Sequence, residues 1–143
     1  MTGLLNISEA TSIALHLCVS LADGGPGFHA TSGISRRLGF SSNHSAKVVQ
    51  MLVRAGILET GRGPAGGARL AKAADQITLL DVYAAAGGDP KPSGCLLNHA
   101  VCRGDGCILG KTFREENERL FSLMKRTRLS TIAANAKINR PKP

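Results

Sequence analysis

Three features of the sequence predict a mainly α fold with one small β-hairpin. Two closely spaced amphipathic segments fill residues 31–55, a Gly-rich tip separates short strand candidates within 57–72, and a long charged amphipathic segment follows residue 110. The chain has 143 residues, enough for one domain whose core a second copy often completes. No apolar run approaches the ~20 residues that span a bilayer, so an integral membrane protein is excluded. With no Trp and one Tyr, a stacking platform for single-stranded nucleic acid is not expected.

The first element is a helix over residues 8–22. Ser8 is its expected N-cap, since a hydroxyl there accepts from an orphan N–H of the first turn. Ala14, Leu17, Cys18 and Leu21 form an apolar stripe at helical spacing, and Glu9, Ser12 and His16 form a polar one. Cys18 lies on the apolar stripe and reads as a buried small hydrophobe. The run Asp23-Gly24-Gly25-Pro26-Gly27 ends the helix.

Residues 31–55 read as two short helices with a tight joint. Thr31 or Ser32 caps the first, Gly39 closes it, Phe40-Ser41 makes the turn and Ser42 caps the second. Ala46, Val49, Leu52 and Val53 are the expected buried face of the second helix. Two helices joined this closely, the second with a polar face, match a helix-turn-helix. Ile57-Leu58-Glu59 and Ala68-Arg69-Leu70 are the strands of a hairpin around Gly61-Arg62-Gly63-Pro64-Ala65-Gly66-Gly67, and a hairpin in this position is a wing. The Gly-rich tip lacks the Gly-Lys-Ser/Thr ending of a phosphate loop.

Thr78-Leu79-Leu80-Asp81 is a capping box that opens a further helix, stopped by Gly87-Gly88-Asp89-Pro90. A longer helix is expected from about Thr112 to Arg126; Phe113, Leu120, Phe121 and Met124 give it its own apolar stripe, and pairing with a second copy is the natural way to bury it. The expected organisation is a winged helix-turn-helix DNA-binding domain over 1–88 and a cysteine loop over 89–110. A dimerisation helix over 111–134 and a basic tail over 135–143, expected to be disordered, follow.

Charge and cysteines indicate the function class. The net charge of +8 is uneven: residues 31–72 hold seven bases against Glu59 alone, and 111–143 hold a second basic block. Two basic blocks favour a polyanionic partner. The first apolar stretch lacks a basic leader and is broken by Glu9, Ser12 and His16, so a cytoplasmic location is expected. Structural disulfides are rare there, which leaves Cys95, Cys102 and Cys107 for metal or redox chemistry. No Ser-His-Asp set, paired carboxylates or nucleotide loop supports an enzyme.

The run from Ile7 through Gly88 resembles the Rrf-type winged-helix transcriptional regulators, whose iron–sulfur members include IscR, NsrR and RirA. The residues that carry the likeness are Thr11-Ser12-Ile13-Ala14-Leu15, Ile34-Ser35-Arg36-Arg37-Leu38-Gly39 and Leu52-Val53-Arg54-Ala55-Gly56-Ile57-Leu58. The wing exit Gly63-Pro64-Ala65-Gly66-Gly67-Ala68-Arg69-Leu70 and the segment Ile77-Thr78-Leu79-Leu80-Asp81-Val82 add to it. The three-cysteine loop and the helix after it also fit.

The resemblance implies a homodimer on double-stranded DNA, with the second helix of each helix-turn-helix in a major groove. Ser42, Asn43, His44, Ser45 and Lys47 are then available to read bases, and Arg62, Gly63 and Arg69 to contact the backbone from the wing. Gly61, Gly63, Gly66 and Gly67 are expected to let the wing backbone approach DNA. It also implies an iron–sulfur cluster, [2Fe–2S] or [4Fe–4S], held by Cys95, Cys102 and Cys107. The fourth ligand is open among His16, Glu9 and Ser12, with an exogenous donor as a further option. Ser12 stands where several relatives carry an acidic ligand. The cluster would make operator affinity answer to nitric oxide, redox state or iron, and the regulator is expected to be a repressor.

Other readings remain at this point. Cys95, His99, Cys102 and Cys107 form a local Cys3His zinc set by spacing. The thiols alone could sense oxidation. A small metal-binding protein without DNA function, or a cofactor-free DNA-binding dimer, completes the alternatives.

Overall fold

The computed structural model describes residues 7–64, 66–90, 102 and 109–136. Helix α1, Glu9–Asp23, is the central element, with four of the later α-helices and the second strand of the hairpin packed against it. Ser8 caps it as expected, its Oγ accepting from the Thr11 N–H at 3.2 Å. Ile13, Ala14, Leu17 and Cys18 are completely buried on its inner side. Burying each large aliphatic side chain of this kind contributes about 1.5–3 kcal/mol.

Helices α2, Thr31–Leu38, and α3, Ser42–Arg54, form the expected pair. Gly39 closes α2 with φ of 76°, where an L side chain would be strained. The caps differ from expectation. Ala30 precedes α2 without any side-chain cap bond, and Ser35 Oγ donates back to the Thr31 carbonyl at 2.8 Å. Ser41, not Ser42, caps α3, because Ser41 is the last extended residue and its Oγ accepts from the His44 N–H.

The inward face of α3 is also rotated by about one residue. Ser45, Val48, Val49 and Leu52 are buried, whereas Ala46 is exposed and Val53 only half-buried. Val48 and Leu52, one turn apart, are the residues driven into the core against α1.

Strands β1, Leu58–Gly61, and β2, Gly67–Leu70, pair antiparallel with Leu58 opposite Leu70 and Gly61 opposite Gly67. The hairpin is not free-standing. His29, in the link between α1 and α2, exchanges two backbone hydrogen bonds of 2.9 Å with Ala68. A Cβ on Gly67 would lie 2.2 Å from the His29 carbonyl oxygen, so the docking requires glycine there.

After a short 3₁₀ turn, Ala74–Gln76, helix α4 runs Leu79–Ala85 behind the expected capping box. The Thr78 N–H donates to Asp81 at 2.8 Å and the Asp81 N–H returns to Thr78 Oγ1 at 3.1 Å.

The helix expected from about Thr112 to Arg126 is α5, Gly110–Arg126, and the rest of the 111–134 segment holds a second helix, α6, Leu129–Asn135. The break at Thr127 and Arg128 lets the chain pair with the segment before α4. The Leu79 N–H donates to Thr127 and the Leu129 N–H to Ile77, at 3.0 and 2.9 Å. Leu129 is completely buried, and α6 packs on α1 inside the core. The domain core therefore reaches beyond residue 88.

Candidate nucleic-acid interface

The first turns of α3 present Ser42, Asn43 and Lys47 to solvent. His44 is half-buried, and its Nδ1 lies 3.4 Å from the Glu9 carboxylate on α1. Ser45 is 2% exposed and faces the core. Its expected role in base reading is corrected: the rotation of α3 turns its hydroxyl inward.

On the wing, Arg62 and Gly63 are exposed at the tip. A Cβ on Gly63 would meet nothing within 4 Å, so this backbone is open to a partner. The other wing glycines are required by the fold. Gly61 lies against the Phe28 ring, Gly66 against the Gly61 and Gly63 carbonyls, and Gly67 against His29.

Arg69 differs from its expectation as a free phosphate contact. Its Nε donates to the Glu59 carboxylate on the facing strand, and its guanidinium lies 4.5 Å from the centre of the Phe28 ring. Phe28 and His29 escape sequence reasoning because they sit in a Gly-rich link with no periodicity. The unusual density of wing glycines was the available signal for their close approach.

The polar stripe of α1 is formed as expected and lies beside the helix-turn-helix. The His16 Nδ1 donates to the Ser12 carbonyl at 2.7 Å, and its ring meets Phe40 edge-on with centroids 5.7 Å apart. With Nδ1 carrying the proton, Nε2 retains the lone pair a metal would take. Cys102 is half-buried. Cys95, Cys107 and His99 lie outside the described residues, as do residues 137–143 of the tail. Among the described residues, no three His, Cys, Asp or Glu side chains converge. Cys18 is a different kind of thiol: complete burial pushes its pKa from 9.0 up to about 12.

The family profile "Rrf2: Iron-dependent Transcriptional regulator" matches residues 7–135. The chain belongs to the Rrf2 family. It is 37% identical over 81 residues to a protein named putative HTH-type transcriptional regulator BadM, from Rhodopseudomonas palustris. That match covers 56% of this chain and 51% of BadM. It is 33% identical to the HTH-type regulator YwgB of Bacillus subtilis, named there as putative, over 71% of this chain and 67% of that one. IscR of Erwinia tasmaniensis is 28% identical over 73% of this chain and 64% of its own length. The chain thus spans about half the length of BadM, and less than two thirds of IscR.

Solved structures share the fold. CymR, the global cysteine regulator of B. subtilis, superposes with a TM-score of 0.77 at 21% identity, covering 94% of this chain and all of that one. IscR of T. potens gives 0.71 at 16% identity, over 98% and 95% of the two chains. These Rrf2 relatives and neighbours are transcriptional regulators, not enzymes. No helix among the described residues is long and apolar enough to cross a membrane.

Proposed function

We propose that this Rrf2 chain is a homodimeric, cytoplasmic DNA-binding regulator whose operator affinity is controlled by an iron–sulfur cluster. Cys95, Cys102 and Cys107 would hold the cluster, with His16 as the fourth donor. The observation that carries the reading is the junction of α1 with the start of α3. The stripe that holds the fourth-ligand candidates reaches the helix-turn-helix twice, through Glu9 to His44 and through His16 to Phe40.

The donor chemistry supports the assignment. Thiolates suit iron–sulfur centres, and a His whose other nitrogen donates to a backbone carbonyl is oriented as metal-ligating His commonly is. His16 is therefore favoured over Ser12, whose hydroxyl is a weaker ligand, and over Glu9, which faces His44. When bound, the cluster supplies an iron centre reactive toward nitric oxide and oxidants and dependent on iron supply. A change of partner at His16 is felt at Phe40, the residue that leads from α2 into α3.

On the DNA side, Ser42, Asn43, His44 and Lys47 would enter the major groove, and Arg62 with the Gly63 backbone would meet the flanking phosphates. The dimer reading rests on α5, where Phe113 and Leu123 stand exposed, with Leu109 exposed just before its first residue.

Anaerobic purification with a visible spectrum and iron, sulfide and zinc analysis tests the cofactor. Brown protein with iron and acid-labile sulfide is expected. Serine at Cys95, Cys102 or Cys107 should abolish the colour, and His16→Ala should shift the spectrum. Zinc without iron, with His99 essential, would establish a local Cys3His site instead.

A further inference from the structure

Phe28 belongs to neither the helix-turn-helix nor the hairpin, yet it touches both strands of the wing. One side of its ring bears the Arg69 guanidinium at 4.5 Å from the centroid, a cation–π contact. The ring also covers Gly61 so closely that a Cβ there would lie 3.2 Å from three of its atoms. Arg69 in turn pairs with Glu59, directly opposite it in the hairpin register. The neighbouring residue, His29, is bonded to Ala68 in both directions. The wing is thus fixed at its root to the link that joins α1 to α2.

We propose that Phe28 is a positioning residue for DNA binding: with Glu59 it holds Arg69 as an internal strut, and so sets where Arg62 at the wing tip meets the phosphate backbone. This rests on the reading of the wing as a DNA contact. The chemistry favours a strut over a second phosphate contact. A guanidinium engaged by a carboxylate and covered on one face by a ring has spent much of its charge and donor capacity inside the protein. Arg62, beyond Gly61, is exposed, and among the described residues it takes part in no ion pair or cation–π contact. A two-stranded ribbon is weakly stable alone, so the orientation of its tip depends on what its base is docked against.

The test measures binding of a mixed-sequence duplex of about 30 base pairs, as a function of salt, so that only the sequence-independent phosphate term is read. In the parent, Arg62→Gln should reduce the slope of log affinity against log salt by about 0.9, the share of one phosphate. Phe28→Leu should reduce it by about the same amount, although it removes no charge. In the Phe28→Leu background Arg62→Gln should then add almost nothing. Phe28→Tyr, which keeps the ring, should restore both the slope and the Arg62 effect. Arg69→Gln should behave like Phe28→Leu, with no further loss when the two are combined.

A role limited to folding stability would lower the melting temperature of Phe28→Leu while leaving the slope and the Arg62 effect intact. That result overturns the proposal, as does a full Arg62 effect in the Phe28→Leu protein. Loss of slope with Arg69→Gln on top of Phe28→Leu also overturns it, because Arg69 would then be a direct contact. An Arg62→Gln variant with the parent's slope would instead sink the underlying reading of the wing. Circular dichroism of each variant separates unfolding from all of these.

Discussion

Glu9 on α1 reaches His44 in the first turn of α3, Oε2 to Nδ1 at 3.4 Å. The pair spans two elements that the chain brings together only on folding, and both side chains keep access to solvent. An exposed pair of this kind is worth about 0.2–1 kcal/mol, so its value for stability is small. Its effect on DNA should be larger. A carboxylate beside the turn that faces phosphates repels them and holds the His44 ring back. In cluster-free protein, Glu9→Gln should leave the denaturation midpoint nearly unchanged and raise affinity for duplex DNA. Fluorescence anisotropy at fixed salt checks this, and a lowered affinity would contradict it.

Cys18 gives a pH signature independent of any cofactor. The thiol ionises near 9.0 in the unfolded chain and only near 12 in the folded protein, because burial penalises the thiolate. Between those values the folded state binds the extra proton. Its contribution to stability is therefore whole below pH 9.0 and is lost as pH rises toward 12, by up to about 1.4 kcal/mol per pH unit. Urea denaturation across that range should show the parent losing stability faster than Cys18→Ala. Parallel curves would mean the thiol is not buried in solution.

The two C-terminal helices should respond differently to substitution. Leu129 is fully buried against α1, so Leu129→Ala should cost about 2–5 kcal/mol and lower the melting temperature markedly. Leu123 is exposed on α5. Leu123→Glu should leave the protomer folded and, by placing a charge in the proposed dimer contact, shift sedimentation from dimer to monomer. A parent that sediments as a monomer at micromolar concentration would remove the dimer from the account.

What the sequence made legible was local. Ser8, Gly39 and the Thr78–Asp81 box act on groups within a turn, so their residue types announce them. The polar stripe of Glu9, Ser12 and His16 was legible for the same reason, but not what it would touch. His44, Phe40 and the Phe28–Arg69 contact depend on elements far apart in the chain. Ser45 was misplaced because both candidate faces of α3 share Val49 and Leu52, and only packing on α1 chooses between them. The end of the long helix at Arg126 was legible, whereas α6 after it carried no clear local signal; its place follows from the burial of Leu129 in the core. In the wing, glycines that suggested close approach to DNA are largely consumed by close approach of the protein to itself.

Whether the cluster sets DNA affinity is tested directly by one comparison. Duplexes are selected from a random pool separately with anaerobically prepared, cluster-loaded protein and with the same protein stripped of iron. The affinity of both forms is then measured on both sets at one salt concentration. At least a tenfold difference is expected on one of the sets, within the range of ordinary allosteric coupling, with Cys102→Ser protein matching the stripped form. Equal affinity of the loaded and stripped forms on every selected duplex would contradict control by the cluster.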